Sequence, residues 1–286
     1  MLQYYPRHIA ILLLFTCLVA CSPDDPSKTS SLLRISLTDV PLLQGEAPTI
    51  PITGLFIDIQ LIELRANGEW HLLNFQGKEI NVFDLSNGII GQITKEWFPA
   101  DQQVNGIRLT LGRNSHIRNA ANQNIPLSLQ EEQVTITNFS TEVSLNRISS
   151  IVIQLNTLLI HHENDDRFSI QLSPRAFDEA SSSLRGTIAP IETFSAVRII
   201  SENQVTLHAF ADRTTGAFSF LGLTPGKWEV RVFPQPESGF RDSIFSEPVT
   251  VTANPRITNM GSIRLHPIII PPDPDPDPDP DPDPEP

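Results

Sequence analysis

Cysteine is almost absent: the 286 residues hold two, Cys17 and Cys21, both within the first 21 positions. The chain beyond them has no thiol to form a disulfide or to act as a nucleophile. Cysteine catalysis is therefore excluded, and stability must come from a packed core. The short patterns of common active sites are missing too. There is no Gly-x-Ser-x-Gly, no His-Glu-x-x-His and no glycine-rich phosphate loop. Positive charge is scarce: 20 Lys and Arg against 33 Asp and Glu give a formal net charge of -13. With no basic stripe in the sequence, nucleic acid is not expected as a partner. Long apolar runs at helical spacing are also lacking, and only Ile89 to Trp97 allows one short helix.

The start of the chain carries the clearest signal. Arg7 gives one firm positive charge, and a largely apolar run follows from Ile9 to Ala20. That run suits a signal-peptide core and is too short for a bilayer-spanning helix, which needs about 20 residues. It ends Leu18-Val19-Ala20-Cys21, which resembles the lipobox of bacterial lipoproteins. The resemblance implies cleavage before Cys21 and lipid on that residue. It also implies an outer-membrane lipoprotein, facing the periplasm or exposed on the cell surface, whose membrane partner is reached through the lipid. Two or more acyl chains hold a protein stably where one holds it marginally. Ser22-Pro23-Asp24-Asp25-Pro26 then reads as a tether. It resembles the acidic tether of surface-exported lipoproteins, and it reads equally well as a solvated spacer.

The far end is as distinctive. From Pro271 to Pro286 proline alternates with acid, seven acids and no base, so about half of the net charge sits there. Such a stretch is expected to be extended polyproline II, rising about 3.1 Å per residue and stiffened by charge repulsion. A spacer is the expected role, and loose attraction of Ca²⁺ is the alternative.

Between these ends the pattern is all β. Period-two alternation recurs in Leu33–Leu37, Phe56–Leu64, Ile107–Leu111, Val134–Thr137, Ile151–Leu155 and Phe168–Leu172. Turn signals separate these runs at Asn67-Gly68, Asn87-Gly88, Asn105-Gly106 and Gly112-Arg113-Asn114. Asn-Gly supplies the positive φ that tight hairpins need. Two antiparallel β-sandwich-like domains are therefore expected. The organisation reads as a signal at 1–20, lipidated cysteine and tether at 21–31, a first β domain at 32–177, a linker at 178–183, a second sandwich at 184–266 and the Pro-Asp tail at 267–286. In the second domain a Gly216 turn feeds Phe218 and Phe220, and a Pro225-Gly226 turn returns Trp228, Val230 and Val232. Alternation puts each set on one face, expected to be buried, and leaves Ser219 on the opposite, solvated face.

Thr214-Thr215-Gly216-Ala217-Phe218-Ser219-Phe220 and Leu223-Thr224-Pro225-Gly226-Lys227-Trp228-Glu229-Val230 resemble the carboxypeptidase-regulatory-like domain, a prealbumin-like sandwich. Trp228 stands where that family usually has tyrosine. Related sandwiches bind glycans, so carbohydrate binding is implied by analogy alone. The first domain resembles the uncharacterised DUF4382 family through Leu37-Thr38-Asp39-Val40-Pro41, Gly68-Glu69-Trp70, Phe83-Asp84-Leu85-Ser86-Asn87-Gly88 and Ile107-Arg108-Leu109. The tyrosine that usually follows Pro-Ala-Gly in that family is absent here, where Pro99-Ala100 leads into Asp101. This resemblance supplies no activity and no catalytic residue.

Three constellations remain as candidate sites. His161-His162-Glu163-Asn164-Asp165-Asp166 has metal-ligand residue types. Adjacent strand residues point apart, however, and a polar hairpin loop accounts for the cluster, so no metal is expected. Asp39 and Asp84 are the residue types of a carboxylate pair, yet such residues more often bond backbone at turns. Trp97, Trp70 and Trp228 are candidate ligand contacts, with Trp97 the best placed because Phe98-Pro99 beside it reads as a loop. Core packing is the ordinary role of such aromatics. The reading is a non-catalytic envelope module for binding or adhesion, without a cofactor, whose partner is a glycan or a surface protein. A structural part of an envelope or fimbria-like assembly is the alternative. A hydrolase using loop carboxylates is the least favoured.

Overall fold

A computed structural model describes residues 29–44, 50–162 and 167–269. The signal, Cys21 and residues 270–286 of the tail lie outside the described residues.

All regular structure described is β, apart from 3-10 turns at Val82–Leu85, Ile191–Thr193 and Pro236–Ser238. The strands are β1 (Ser30–Thr38), β2 (Leu42–Gln44), β3 (Ile52–Ala66), β4 (Glu69–Leu72), β5 (Lys78–Asn81), β6 (Gly91–Pro99), β7 (Gln102–Leu111) and β8 (His116–Asn119). They continue with β9 (Asn124–Leu129), β10 (Gln133–Ile136), β11 (Thr141–Val143), β12 (Ile148–Gln154), β13 (Thr157–His162), β14 (Arg167–Leu172) and β15 (Arg175–Asp178). The remainder are β16 (Ser182–Ala189), β17 (Ala196–Ser201), β18 (Thr206–Phe210), β19 (Ala217–Leu223), β20 (Gly226–Phe233), β21 (Ser243–Ile244), β22 (Val249–Val251) and β23 (Ile257–Arg264).

The strands form two sandwiches. In the first, a four-stranded sheet ordered β15-β12-β1-β6 faces a larger one whose main path is β10-β7-β3-β8-β9-β14-β13-β2. Leu33, Ile35 and Leu37 of β1 and Ile151 and Ile153 of β12 meet Leu55, Ile57, Ile59, Ile62 and Leu64 of β3 in one apolar core. In the second, β19-β16-β23 faces β18-β17-β20-β21. Its core joins Leu184, Ile188, Phe218 and Phe220 to Val197, Ile199, Trp228, Val230 and Val232. The alternation expected around Phe218 and Trp228 is thus the one observed.

Several local expectations change. Ile89 to Trp97 is not a helix, because Gly91–Pro99 pairs antiparallel with β1 across its length. Asn67-Gly68 is a turn with φ of 50° and 91°, whereas Asn105-Gly106 lies inside β7. There Gly106 admits close neighbours: a Cβ would come within 2.9 Å of Arg65 and 3.3 Å of Trp70. Most ladders are antiparallel, but β1–β12, β2–β13, β9–β14 and β16–β23 run parallel. Ser219 does not face open solvent. It lies half-buried opposite Gly88 of the first sandwich.

The sandwiches touch through the last strand of the first. The turn after β15 is tight, with Ser181 N–H donating to Asp178 O at 2.8 Å. Val152 and Phe177 are buried but belong to neither core. Phe177 packs directly on Gly222 of β19.

Candidate functional site: a groove between the sandwiches

Where the two sandwiches meet, a cavity of about 680 Å³ opens. Val40, Leu42, Leu43, Ile52, Leu55, Phe83 and Leu159 line one side. Phe210, Ala211, Asp212, Arg213 and Ser219 line the other. Leu43 and Phe210 are partly open to solvent at 45% and 39%, while Leu55 is fully buried. The wall is thus apolar in depth with a polar rim, the usual form of a ligand pocket.

The rim is held in place by local bonds. Asp212 Oδ1 accepts from the backbone N–H of Thr214 and Thr215 at 3.0 and 2.8 Å and from the Thr215 hydroxyl at 2.8 Å. The Thr215 hydroxyl first, then the two N–H groups, hold the Asp212 carboxyl below the usual carboxylate range. Its Oδ2 accepts from Asn87 Nδ2 at 3.5 Å across the groove. Arg213 lies over the Phe194 ring at 5.2 Å.

Beside the groove, Arg175 bonds the two sandwiches. Its Nη1 donates to Gly222 O at 3.0 Å, and Nη2 donates to Leu221 O. Nε and Nη2 also donate to Gln154 Oε1 at 3.1 and 2.6 Å. The guanidinium stands over Phe177 at 4.8 Å. Burial pushes its pKa down to about 10, so it stays charged at neutral pH. Nothing in the sequence around Arg175 marks this role.

The expected site residues fall in separate places. Asp39 is fully buried and Asp84 is exposed, so the two carboxyls stand in different environments. Asp39 Oδ1 accepts from Val40 N–H at 2.8 Å and Thr157 N–H at 3.0 Å. Burial raises its pKa to about 6, against the lowering pull of the Thr157 hydroxyl and the backbone donors. Among the described residues, Asp39 Oδ2 and the Thr157 hydroxyl have no hydrogen bond of ordinary geometry. The Asp39 N–H and the Thr38 hydroxyl both donate to Leu85 O, at 3.0 and 3.1 Å. The Leu-Thr-Asp and Phe-Asp-Leu motifs thus meet as a backbone staple.

The three tryptophans sit on three different sheets. Trp228 is 3% exposed in the second core, and its indole N–H donates to Thr224 O at 3.1 Å, so it is closed to a ligand. Trp70 on β4 is covered by Arg108 at 4.3 Å. Arg108 itself grips Glu63 at 2.5 and 2.6 Å and holds that carboxyl below its ordinary range. Trp97 is 53% exposed, though on β6 rather than in a loop. His161 stacks on Phe168 at 4.5 Å, while His162 Nε2 lies 2.8 Å from Ser169 Oγ. Glu163, Asp165 and Asp166 lie outside the described residues. Among the described residues no group of three or more His, Cys, Asp or Glu is placed to hold a metal.

Residues 30–171 match the profile of the family described as Domain of unknown function (DUF4382). No curated protein matches the chain. Among solved structures, the Bacillus anthracis TIE protein is 10% identical with a TM-score of 0.26. That likeness covers 84% of this chain and 34% of that one, so this chain spans about a third of its length. BcpA, the major pilin subunit of Bacillus cereus, is 8% identical with a TM-score of 0.24 over 84% of this chain and 71% of its own. The C-terminal fragment of the pilus adhesin SpaC from Lactobacillus rhamnosus GG is 7% identical at 0.23, over 82% and 98%. Likenesses this distant carry no functional argument.

Proposed function

We propose that this chain, which carries a DUF4382 domain at residues 30–171, is a lipid-anchored envelope protein whose two sandwiches form one non-catalytic binding module. Its ligand is an apolar segment of a partner seated in the groove between them. The observation that carries this reading is the groove itself, about 680 Å³ with an aliphatic wall and a rim whose polar groups are already oriented. The buried acid nearby supports it as well: Asp39 is engaged with backbone donors and is not among the residues that line the groove. Lipid on Cys21 supplies the membrane partner, and the lipobox residues support it. Carbohydrate binding rests on the carboxypeptidase-regulatory-like resemblance of residues 184–266 alone. The groove's aliphatic wall favours an apolar segment of a surface protein instead.

Titration with anilinonaphthalene sulfonate, an apolar dye, tests the groove. The wild-type chain should bind it with enhanced emission. Leu43→Asp and Phe210→Asp, at the open rim, should each remove most of that emission, and Ile244→Asp, exposed on β21, should not. Emission unaffected by both rim substitutions would sink the groove as the binding site. A glycan array probed with the same proteins decides between an apolar and a sugar ligand.

A further inference from the structure

One end of the first sandwich leaves an apolar row uncovered. Leu32 of β1 lies between Trp97 of β6 and Ile148 of β12 in register. Trp97 and Ile148 are 53% and 57% exposed. The next row on that face holds Lys95, Arg34 and Ser150, with Arg34 paired to Glu179. One row farther on, Ser36 and Val152 are buried near the contact with the second sandwich. The sheet face is thus covered at one end and bare at the other.

The bare end is also where the described chain begins. Ser30, Leu32, Trp97, Asn146, Arg147 and Ile148 together line a shallow concavity of about 210 Å³, and the Ser31 hydroxyl donates to Arg147 O. Cys21 precedes Thr29 by eight residues. At about 3.3–3.6 Å per residue, eight residues can span at most about 30 Å. Lipid on Cys21 therefore keeps this row within reach of the bilayer surface. Lys95 and Arg147 form no ion pair among the described residues and suit anionic headgroups. An indole beside aliphatic side chains and cations is the composition of a headgroup-level contact. Leu32 and Ile148 offer a sugar no hydrogen bond.

We infer that the Trp97–Leu32–Ile148 row is the membrane-facing surface of the anchored protein and rests in the headgroup layer. The inference depends on the lipid-anchor reading, and the experiment separates the two. Lipidated full-length mature protein is reconstituted into phosphatidylethanolamine–phosphatidylglycerol vesicles containing phospholipid brominated near the headgroup. The protein should float with the vesicles, and its tryptophan emission should be quenched. Trp97→Ala should float equally and lose most of the quenching, while Trp70→Phe and Trp228→Phe should keep it. Lys95→Glu with Arg147→Glu should weaken quenching on anionic vesicles, with an unchanged urea midpoint confirming the fold. Flotation without quenching overturns this surface and leaves the anchor standing. Failure to acquire lipid or to float overturns the anchor, and this surface with it. A shift of Trp97 emission on adding soluble glycans, with no quenching by bromolipid, overturns the membrane assignment in favour of a sugar site.

Discussion

Asp39 Oδ1 accepts the backbone N–H of Thr157 at 3.0 Å, joining the end of β1 to the start of β13 across 118 residues. The same junction holds Leu155 N–H on Thr38 O at 3.1 Å and Asp39 N–H on Leu85 O at 3.0 Å. Backbone and carboxyl of this one corner thus join three segments of the first sandwich, and because the carboxyl holds Thr157, its protonation is coupled to folding.

That coupling has a definite sign. Burial raises Asp39 from 3.8 to about 6, so the folded protein binds more protons than the unfolded chain between these values. Its contribution to stability is full below about pH 4 and is lost as pH rises through about 6. At about 1.4 kcal/mol per pKa unit the loss is on the order of 3 kcal/mol. Asp39→Asn should gain relative to wild type as pH rises from 4 to 7, measured by urea unfolding. A difference that does not change with pH would refute the assignment.

Arg175 should couple the two sandwiches. Arg175→Met removes the donors to Leu221 O and Gly222 O, and a hydrogen bond to a charged group contributes about 1.5–3 kcal/mol. Unfolding followed separately by probes in the two sandwiches should split into two transitions. Arg175→Lys should restore little, because an ammonium does not reproduce the planar fork. A single transition at the wild-type midpoint in Arg175→Met would show that the contact does not depend on it.

Phe218 is 2% exposed and meets Phe220 edge-on, ring centres 6.1 Å apart. Phe218→Ala should therefore cost about 3–5 kcal/mol through lost burial and a residual cavity. Ser219→Ala on the groove wall should change stability by less than about 0.5 kcal/mol. The comparison is made by chemical denaturation of the full chain, and equal losses would mean that the buried face has been misassigned.

Cys21→Ser should abolish lipid labelling and move the protein out of the membrane fraction, as the proposed lipid anchor requires. Labelling and fractionation like those of wild type would refute the anchor.

The sequence by itself determined what is local. Period-two alternation fixes an all-β chain, and it fixes which side chains of β19 and β20 turn inward, because pleating sends neighbours to opposite faces whatever the strand's partners. Asn67-Gly68 was legible as a turn because the positive φ is a property of those two residues. What depends on which strands lie side by side was not legible. Asn105-Gly106 carries the same dipeptide, yet it sits within β7 because neighbouring side chains need the space beside Gly106. Trp70 and Trp228 look like Trp97 in sequence, and only packing covers the first with Arg108, buries the second and leaves the third open. The groove, the Arg175 bridge and the Asp39 staple follow the same rule. Each joins segments tens of residues or more apart, and tertiary packing decided them because alternation records the face a residue takes but not its neighbour.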